Sequence, residues 1–289
     1  MILDLVTYDP GLPASTPRDY AQAVAERVLG CWDDGADLVL LPEFLWQGLE
    51  PLLAAGDSSS NLAEVARVFW HELLPDLRRL LTRPGKAVVL GTCPALQRDG
   101  LRNRAPIFTG ATWIHQDKLH LTPWEQDFRP GRTLQIWTCG DWRIAVLICL
   151  DIEIPELAAR LRGREVDLIL CPSATESVLG VERVDRCASA RAIELGCHVG
   201  VAHLTGRATS ELIDENLGRA AWYGPSQHVF SKVPRWIEGE IRDSGSQVLR
   251  VELESKTLRR MRQMRLETNP AHLSTELAGI RRRIQVQCS

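Results

Sequence analysis

Apolar residues recur along this chain with two alternating periods. Short continuous apolar runs mark strands buried on both faces, and they fall at 3–7, 37–41, 87–93, 142–148, 166–171 and 197–203. Between them, apolar positions recur at helical spacing. Tyr20, Val24, Val28 and Cys31 follow Ser15-Thr16-Pro17, where a hydroxyl can cap the helix and proline can occupy its first turn. Leu62, Val65, Phe69, Leu73, Leu77 and Leu80 form a second stripe, bent at Pro75. Helices are also predicted over 155–162 and over 182–195, the latter ended by Gly196. Hairpins are predicted at 106–116, with Gly110 near the turn, and at 133–148 around Cys139-Gly140-Asp141. Strands at 222–231 and 248–253 and a helix from 255 to about 265 close the pattern. Residues 47–60, 205–220 and the stretch DKLHLTPWEQDFRPG at 117–131 have no period and read as loops. Loops of the last kind, set between strands, often carry function.

The order β-α-β-α-β-β occurs twice, which predicts two similar halves, each a sheet with helices on one face. Packed sheet against sheet, they make an α/β four-layer α-β-β-α sandwich of two mixed sheets with helices outside. No stretch rich in Pro, Gly or Ser interrupts the pattern, so residues 1–265 are expected to form one domain. Residues 266–289 read as a tail that packs on the domain or on a partner subunit.

Composition narrows the class. A chain of 289 residues can bury a sizeable core, and 45% hydrophobic with 25% charged residues is ordinary for a globular protein. The net charge of −3 gives no overall field toward nucleic acid or a membrane surface. One asymmetry stands at the end: from Lys256 to Ser289 eight basic residues, Arg281-Arg282-Arg283 among them, are set against Glu267 and Glu276. We read this as a solvated face or a subunit contact and expect no nucleic-acid partner. No apolar run reaches the ~20 residues of a membrane span, and MILDLVTYDP does not read as a signal peptide. The eight Cys form no CxxC pair, and the seven His show no ligand spacing. That is the usage of a reducing compartment without a disulfide framework or metal site. A cytoplasmic protein without metal or cofactor is expected.

Three polar residues stand at or beside the ends of apolar runs. Pro42 ends a strand and sends Glu43 toward the rim where strands of an α/β sheet present ligands. Cys149 ends WRIAVLIC just ahead of the helix that Pro155 opens, and Lys118 sits in the irregular loop. Singly they are a turn carboxylate, a solvated lysine and a core thiol. Together they fit acyl transfer through a thiol: a carboxylate accepts the thiol proton as general base, and a neighbouring cation lowers the thiol pKa and stabilises the oxyanion. One oxyanion donor is typically worth ~3 kcal/mol, so loss of Lys118 is expected to cost about a hundredfold or more in rate. A histidine base acting on Cys149 and a Schiff base on Lys118 are the alternatives, the second leaving Cys149 and Glu43 idle.

The segments ADLVLLPEF around Glu43, DKLHLTPWE around Lys118 and VLICLDIEIPELAARL around Cys149 resemble the three signatures of the nitrilase (carbon–nitrogen hydrolase) superfamily, in the same order and separated by 75 and 31 residues. CPSA at 171–174, SARAIE at 189–194 and GPS at 224–226 add to the likeness, which extends from about residue 3 to residue 265. The resemblance implies an α-β-β-α sandwich that pairs into a homodimer or a higher oligomer, and metal-free hydrolysis of a non-peptide C–N bond through a thioester. It makes Glu43 the general base, Lys118 the oxyanion stabiliser, Cys149 the nucleophile and the Leu150 N–H a second oxyanion donor. Glu125 matches a second glutamate that orients the lysine or the attacking water. Leu150, Trp124 and Ala174 are the candidate substrate contacts.

Departures from the family pattern sharpen this reading. Leu150 stands where an aromatic residue is common, and Cys149-Leu150-Asp151 in place of C-W-E favours an amide over a nitrile. Leu195 replaces the usual Asn after the helix motif, and the usual first-strand Gln is missing. Residues 200–245 are similar to a bacterial amidohydrolase-like branch that is sometimes fused to an acetyltransferase. An amidase of the ω-amidase or carbamoylase kind is expected. A catalytically weak binding or scaffold protein, motivated by Leu150 and Leu195, and a true nitrilase are the other readings.

Overall fold

The computed structural model describes residues 1–53, 58–210 and 212–264. The chain opens with β1 (Ile2–Val6), α1 (Pro17–Asp33) and β2 (Leu38–Leu41). The Thr16 hydroxyl caps α1 by accepting the Asp19 N–H at 3.1 Å. The stretch 47–60, read as loop, begins instead inside a 3-10 helix, Leu45–Leu52, anchored by the Trp46 indole N–H on Leu90 O at 2.8 Å. Gly48 and Pro51 disguise it in the sequence, although Leu45, Trp46 and Leu49 all point inward. The stripe from Leu62 to Leu80 is one rod, α2 (Ser58–Val68) and α3 (Leu74–Leu80) joined by a π turn at Phe69–Leu73. Pro75 falls just past the π turn, where the Leu74 N–H ahead of it bonds Phe69 O in the wider π pattern.

The run 87–93 proves to be two strands, β3 (Ala87–Leu90) and β4 (Cys93–Gln97). Gly91 takes φ +63, a conformation open to glycine, and turns the chain between them. β5 (Gly100–Phe108) and β6 (Trp113–Asp117) complete this half. The second half runs β7 (Ile136–Cys139), β8 (Trp142–Val146), α4 (Leu150–Glu153), α5 (Pro155–Leu161), β9 (Leu168–Ser173), α6 (Val178–Leu195) and β10 (His198–His203). α6 starts four residues before its predicted onset because Ser177 caps it, accepting the Gly180 N–H. A two-residue ladder, β11 (Gly206–Arg207) with β12 (Glu215–Asn216), ties the stretch expected to be plain loop. Residues 222–231 form no single strand. β13 (Ala220–Tyr223) stops before Pro225, and β14 (Trp236–Glu238), β15 (Val248–Glu252) and α7 (Ser255–Gln263) follow. The expected tail, 266–289, lies outside the described residues.

The strands form two mixed sheets. One has the order β15-β1-β2-β3-β5-β4 with β6 on β5, and the other β14-β13-β10-β9-β8-β7. Each is built on three parallel strands, β1-β2-β3 and β8-β9-β10, flanked by antiparallel ones. Side chains alternate across the first sheet. Leu3, Leu5, Leu38 and Leu40 join the core shared with the second sheet, while Val6, Val39 and Leu41 pack under α1, α2 and α3. α5 and α6 cover the second sheet's outer face through Leu157, Leu161, Val184 and Ala188. The result is the four-layer α-β-β-α sandwich. The sheets are in close contact at Gly200, where a Cβ would lie 2.7 Å from Leu5 Cδ2.

Candidate active site

Three chain turns carry the site. After β2, Pro42 ends the pairing and Glu43 follows. Phe44 then takes φ +54, with its N–H bonded to Thr92 Oγ1 at 2.8 Å. After β6, Lys118 donates its N–H to Asn103 O at 2.8 Å and accepts the Gly131 N–H at 2.7 Å, so its own peptide closes both ends of the loop 118–131. After β8, Cys149 occupies φ 46, ψ −105, a conformation that costs on the order of 1–3 kcal/mol. It is over-determined: the Cys149 N–H bonds Pro172 O at 2.9 Å, and the α4 helical turn begins at the next residue. The buried Asp151 carboxylate ties this corner to the loop. It accepts the N–H of Ile148 at 3.2 Å, of Leu119 at 3.1 Å and of His120 at 2.8 Å.

The side chains converge. Lys118 Nζ lies 2.7 Å from Glu43 Oε1 and 2.8 Å from Glu125 Oε2. Asn103 Nδ2 donates to Glu43 Oε1 at 2.8 Å and Glu125 Oε1 at 3.0 Å, so one amide spans both carboxylates. Glu125 also takes the Thr122 N–H at 2.8 Å, and Glu43 Oε2 takes the Ala174 N–H at 3.2 Å. The Cys149 thiol donates to Ala174 O at 3.5 Å. Glu43, Lys118, Glu125 and Asn103 are buried, and Cys149 is 6% exposed.

Burial dominates the electrostatics. It raises the Glu43 pKa to about 7: the Lys118 charge opposes the rise and the Glu125 charge adds to it. For Lys118, burial works against the ammonium, but Glu43 and Glu125 overcome it and hold its pKa above the ordinary lysine value. The sequence led us to expect a lowered thiol pKa, and the structure reverses this. Burial, and then the Glu43 charge, push Cys149 up, and Lys118 offsets only part of the rise. The resting thiol is therefore neutral.

These groups border a cavity of about 260 Å³, with Leu150, Trp124 and Ala174 also on its walls. Trp124 stands 79% exposed at its mouth. Leu212, Ile213 and Asn216 of the 205–220 segment line it too, whereas Trp46 lies fully buried against Phe69, away from the cavity. Leu195 is in the core and does not reach it. Larger hollows of about 410 and 830 Å³ elsewhere hold no cysteine. Sequence reasoning missed Asn103 and Asp151. Asn103 is 60 residues from Glu43 within an otherwise ordinary strand, and Asp151 reads as a helix-start carboxylate. Among the described residues, no group of three or more His, Cys, Asp or Glu could hold a metal, and no helix is long and apolar enough to cross a membrane.

Comparison with known proteins supplies an independent test. The family model described as carbon–nitrogen hydrolase matches residues 12–263. A probable hydrolase of Bacillus subtilis, YhcX, is 26% identical over 87% of this chain and 54% of its own length. An (R)-stereoselective amidase of a Pseudomonas species is 29% identical over 46% of this chain and 47% of its own. The chain thus spans about half the length of the curated relatives it matches. The crystal structure of an amidase from Nesterenkonia shares the fold with a TM-score of 0.68 at 20% identity, covering 92% of this chain and 93% of that one.

Proposed function

This chain belongs to the carbon–nitrogen hydrolase family, and from that premise we propose that it is an amidase that cleaves the C–N bond of a small amide through a thioester on Cys149. One observation carries the reading: thiol, carboxylate and ammonium share one small cavity, with Glu43 and Lys118 in contact at 2.7 Å. Glu43, ionised, takes the thiol proton as sulfur attacks the amide carbonyl. The oxyanion is met by Lys118 Nζ and by the Leu150 N–H, which at the first position of α4 has no partner within its own helix. Protonated Glu43 then gives its proton to the departing nitrogen, and the C–N bond breaks to leave an acyl-cysteine and ammonia or an amine. Water, deprotonated by Glu43, attacks the thioester. The acid leaves and the thiol regains its proton.

Glu125 holds Lys118 together with Glu43, and Asn103, bonded to both carboxylates, fixes their spacing. The substitutions Leu150 and Leu195 remove no polar group from the site, which argues against a catalytically silent scaffold. Leu150, Trp124 and Ala174 line the cavity, which supports them as contacts for the acyl portion. A homodimer is proposed from the family resemblance.

The test is mass spectrometry of the protein quenched during incubation with a panel of small aliphatic amides. Wild type is expected to carry the acyl mass on the Cys149 peptide and release ammonia, and Cys149→Ala to do neither. Ammonia release at the same rate from both proteins sinks the reading.

A further inference from the structure

The wall behind the nucleophile is braced by a chain of polar groups that the chemistry above does not use. Ala174 touches both reacting groups, its N–H on Glu43 and its C=O on the Cys149 thiol. Next to it, Thr175 Oγ1 lies 2.8 Å from Leu217 O and 3.1 Å from His203 Nδ1. A hydroxyl has one proton to give. With Leu217 O taking it, the oxygen accepts from the His203 Nδ1–H. Nε2 of the same ring faces Asp185 Oδ1 at 3.4 Å. Asp185 Oδ2 is held by Arg219 Nε at 2.8 Å. Arg219 reaches Glu238 at 2.9 Å, and Glu238 takes the Tyr223 hydroxyl at 2.7 Å.

His203 is fully buried and Asp185 is 3% exposed. Of His203, Asp185, Arg219 and Thr175, only Thr175 borders the cavity. Burying such charges is a poor source of stability compared with apolar packing. What the chain supplies is direction: it fixes a rotamer at the end of β9, one residue from the peptide that meets base and nucleophile. Backbone bonds from Leu204 N to Ser173 O and from Leu217 N to Thr175 O, both 2.8 Å, hold the same corner without it. The competing view is that these bonds suffice.

We propose that His203, clamped between Thr175 and Asp185, is a positioning residue. It sets the corner 173–175, and through Ala174 it sets the placement of the Glu43 carboxylate relative to the Cys149 thiol. The proposal rests on the amidase reading of the site. A misplacement of about 1 Å at reacting groups can cost on the order of a hundredfold in rate, so the loss is expected in kcat.

Thr175→Val keeps the shape and leaves His203, Asp185 and Arg219 in place while removing the hydroxyl. It is expected to lower kcat about tenfold or more with KM changed less than about threefold. Thr175→Ser is expected to restore most of the lost rate, and His203→Phe to reproduce the loss. Should His203→Phe fail to fold, the valine and serine pair decides. A folded Thr175→Val protein with wild-type kcat overturns the proposal. Alkylation of Cys149 by iodoacetamide at pH 7, read by mass spectrometry, separates this inference from the amidase reading. Wild type that hydrolyses no amide defeats that reading alone. In that case, slower alkylation in Thr175→Val still supports the positioning role, and equal alkylation in the two proteins ends it.

Discussion

Single residues fix how the proposed chemistry responds to pH. Glu43 must be ionised to take the thiol proton, and burial places its pKa at about 7. Amide hydrolysis, followed as kcat/KM, is therefore expected to rise with pH up to about 7 and level off above it. Lys118 stays charged across that range because two carboxylates hold it. A profile flat from pH 5 to 8 would remove Glu43 as the base. Asn103 sets the second prediction. Its amide is shared between Glu43 and Glu125, so Asn103→Leu leaves two buried carboxylates facing each other with only Lys118 between them. Loss of one such bond to a charged group costs about 1.5–3 kcal/mol. We expect kcat to fall by roughly tenfold or more and the pH midpoint to move upward, since Glu125 would then repel the Glu43 charge with less compensation. Unchanged kinetics would show that the carboxylates hold their places without it.

At the scale of elements, the least regular pieces position the chemistry. The α4 turn is only four residues long, yet its Asp151 accepts N–H groups from both the nucleophile's strand and the lysine's loop. Asp151→Asn keeps the shape but replaces one acceptor oxygen with a donor that faces N–H groups. The expected outcome is a drop in melting temperature of several degrees, from a loss of about 2 kcal/mol, together with lower kcat. Wild-type stability and rate would refute this latch. Periodicity made the regular elements legible: α1, β2 and the β7–β8 hairpin lie close to where apolar spacing predicts them. It failed where one residue overrides the pattern, as Gly91 does in splitting 87–93 and Gly48 with Pro51 in hiding a buried helical turn. Glu43, Lys118 and Cys149 stood out because each follows an apolar run or lies in the irregular stretch 117–131 between strands. Asn103 was not, because a mid-strand amide has no local signature and gains its meaning only across a sheet. The rise in the thiol pKa was equally hidden, since it depends on burial and not on which residues are present.

For the molecule as a whole, one buried histidine sets a limit on the acid side. His198 sits among Trp142, Trp222 and Phe230 at centroid distances of 5.5–6.0 Å, with no hydrogen-bond partner for either ring nitrogen among the described residues. Burial, aided by the Arg262 charge, lowers its pKa to about 3. The unfolded chain binds this proton below about 6.5 while the native state refuses it. Stability from this group is thus complete above pH 6.5 and is lost progressively as pH falls toward 3. His198→Phe should flatten the difference in urea midpoint between pH 7.5 and pH 5, and an unaltered difference would place the acid sensitivity elsewhere.

Base and lysine hang from one sheet and the thiol from the other, and the two sheets are pressed together where Gly200 leaves room for Leu5. In the proposed mechanism the site is a lock that needs two keys, each cut on a separate plate. A slip of one plate along the other would disarm the thiol while every strand kept its own pairing, so loss of function need not wait for loss of shape.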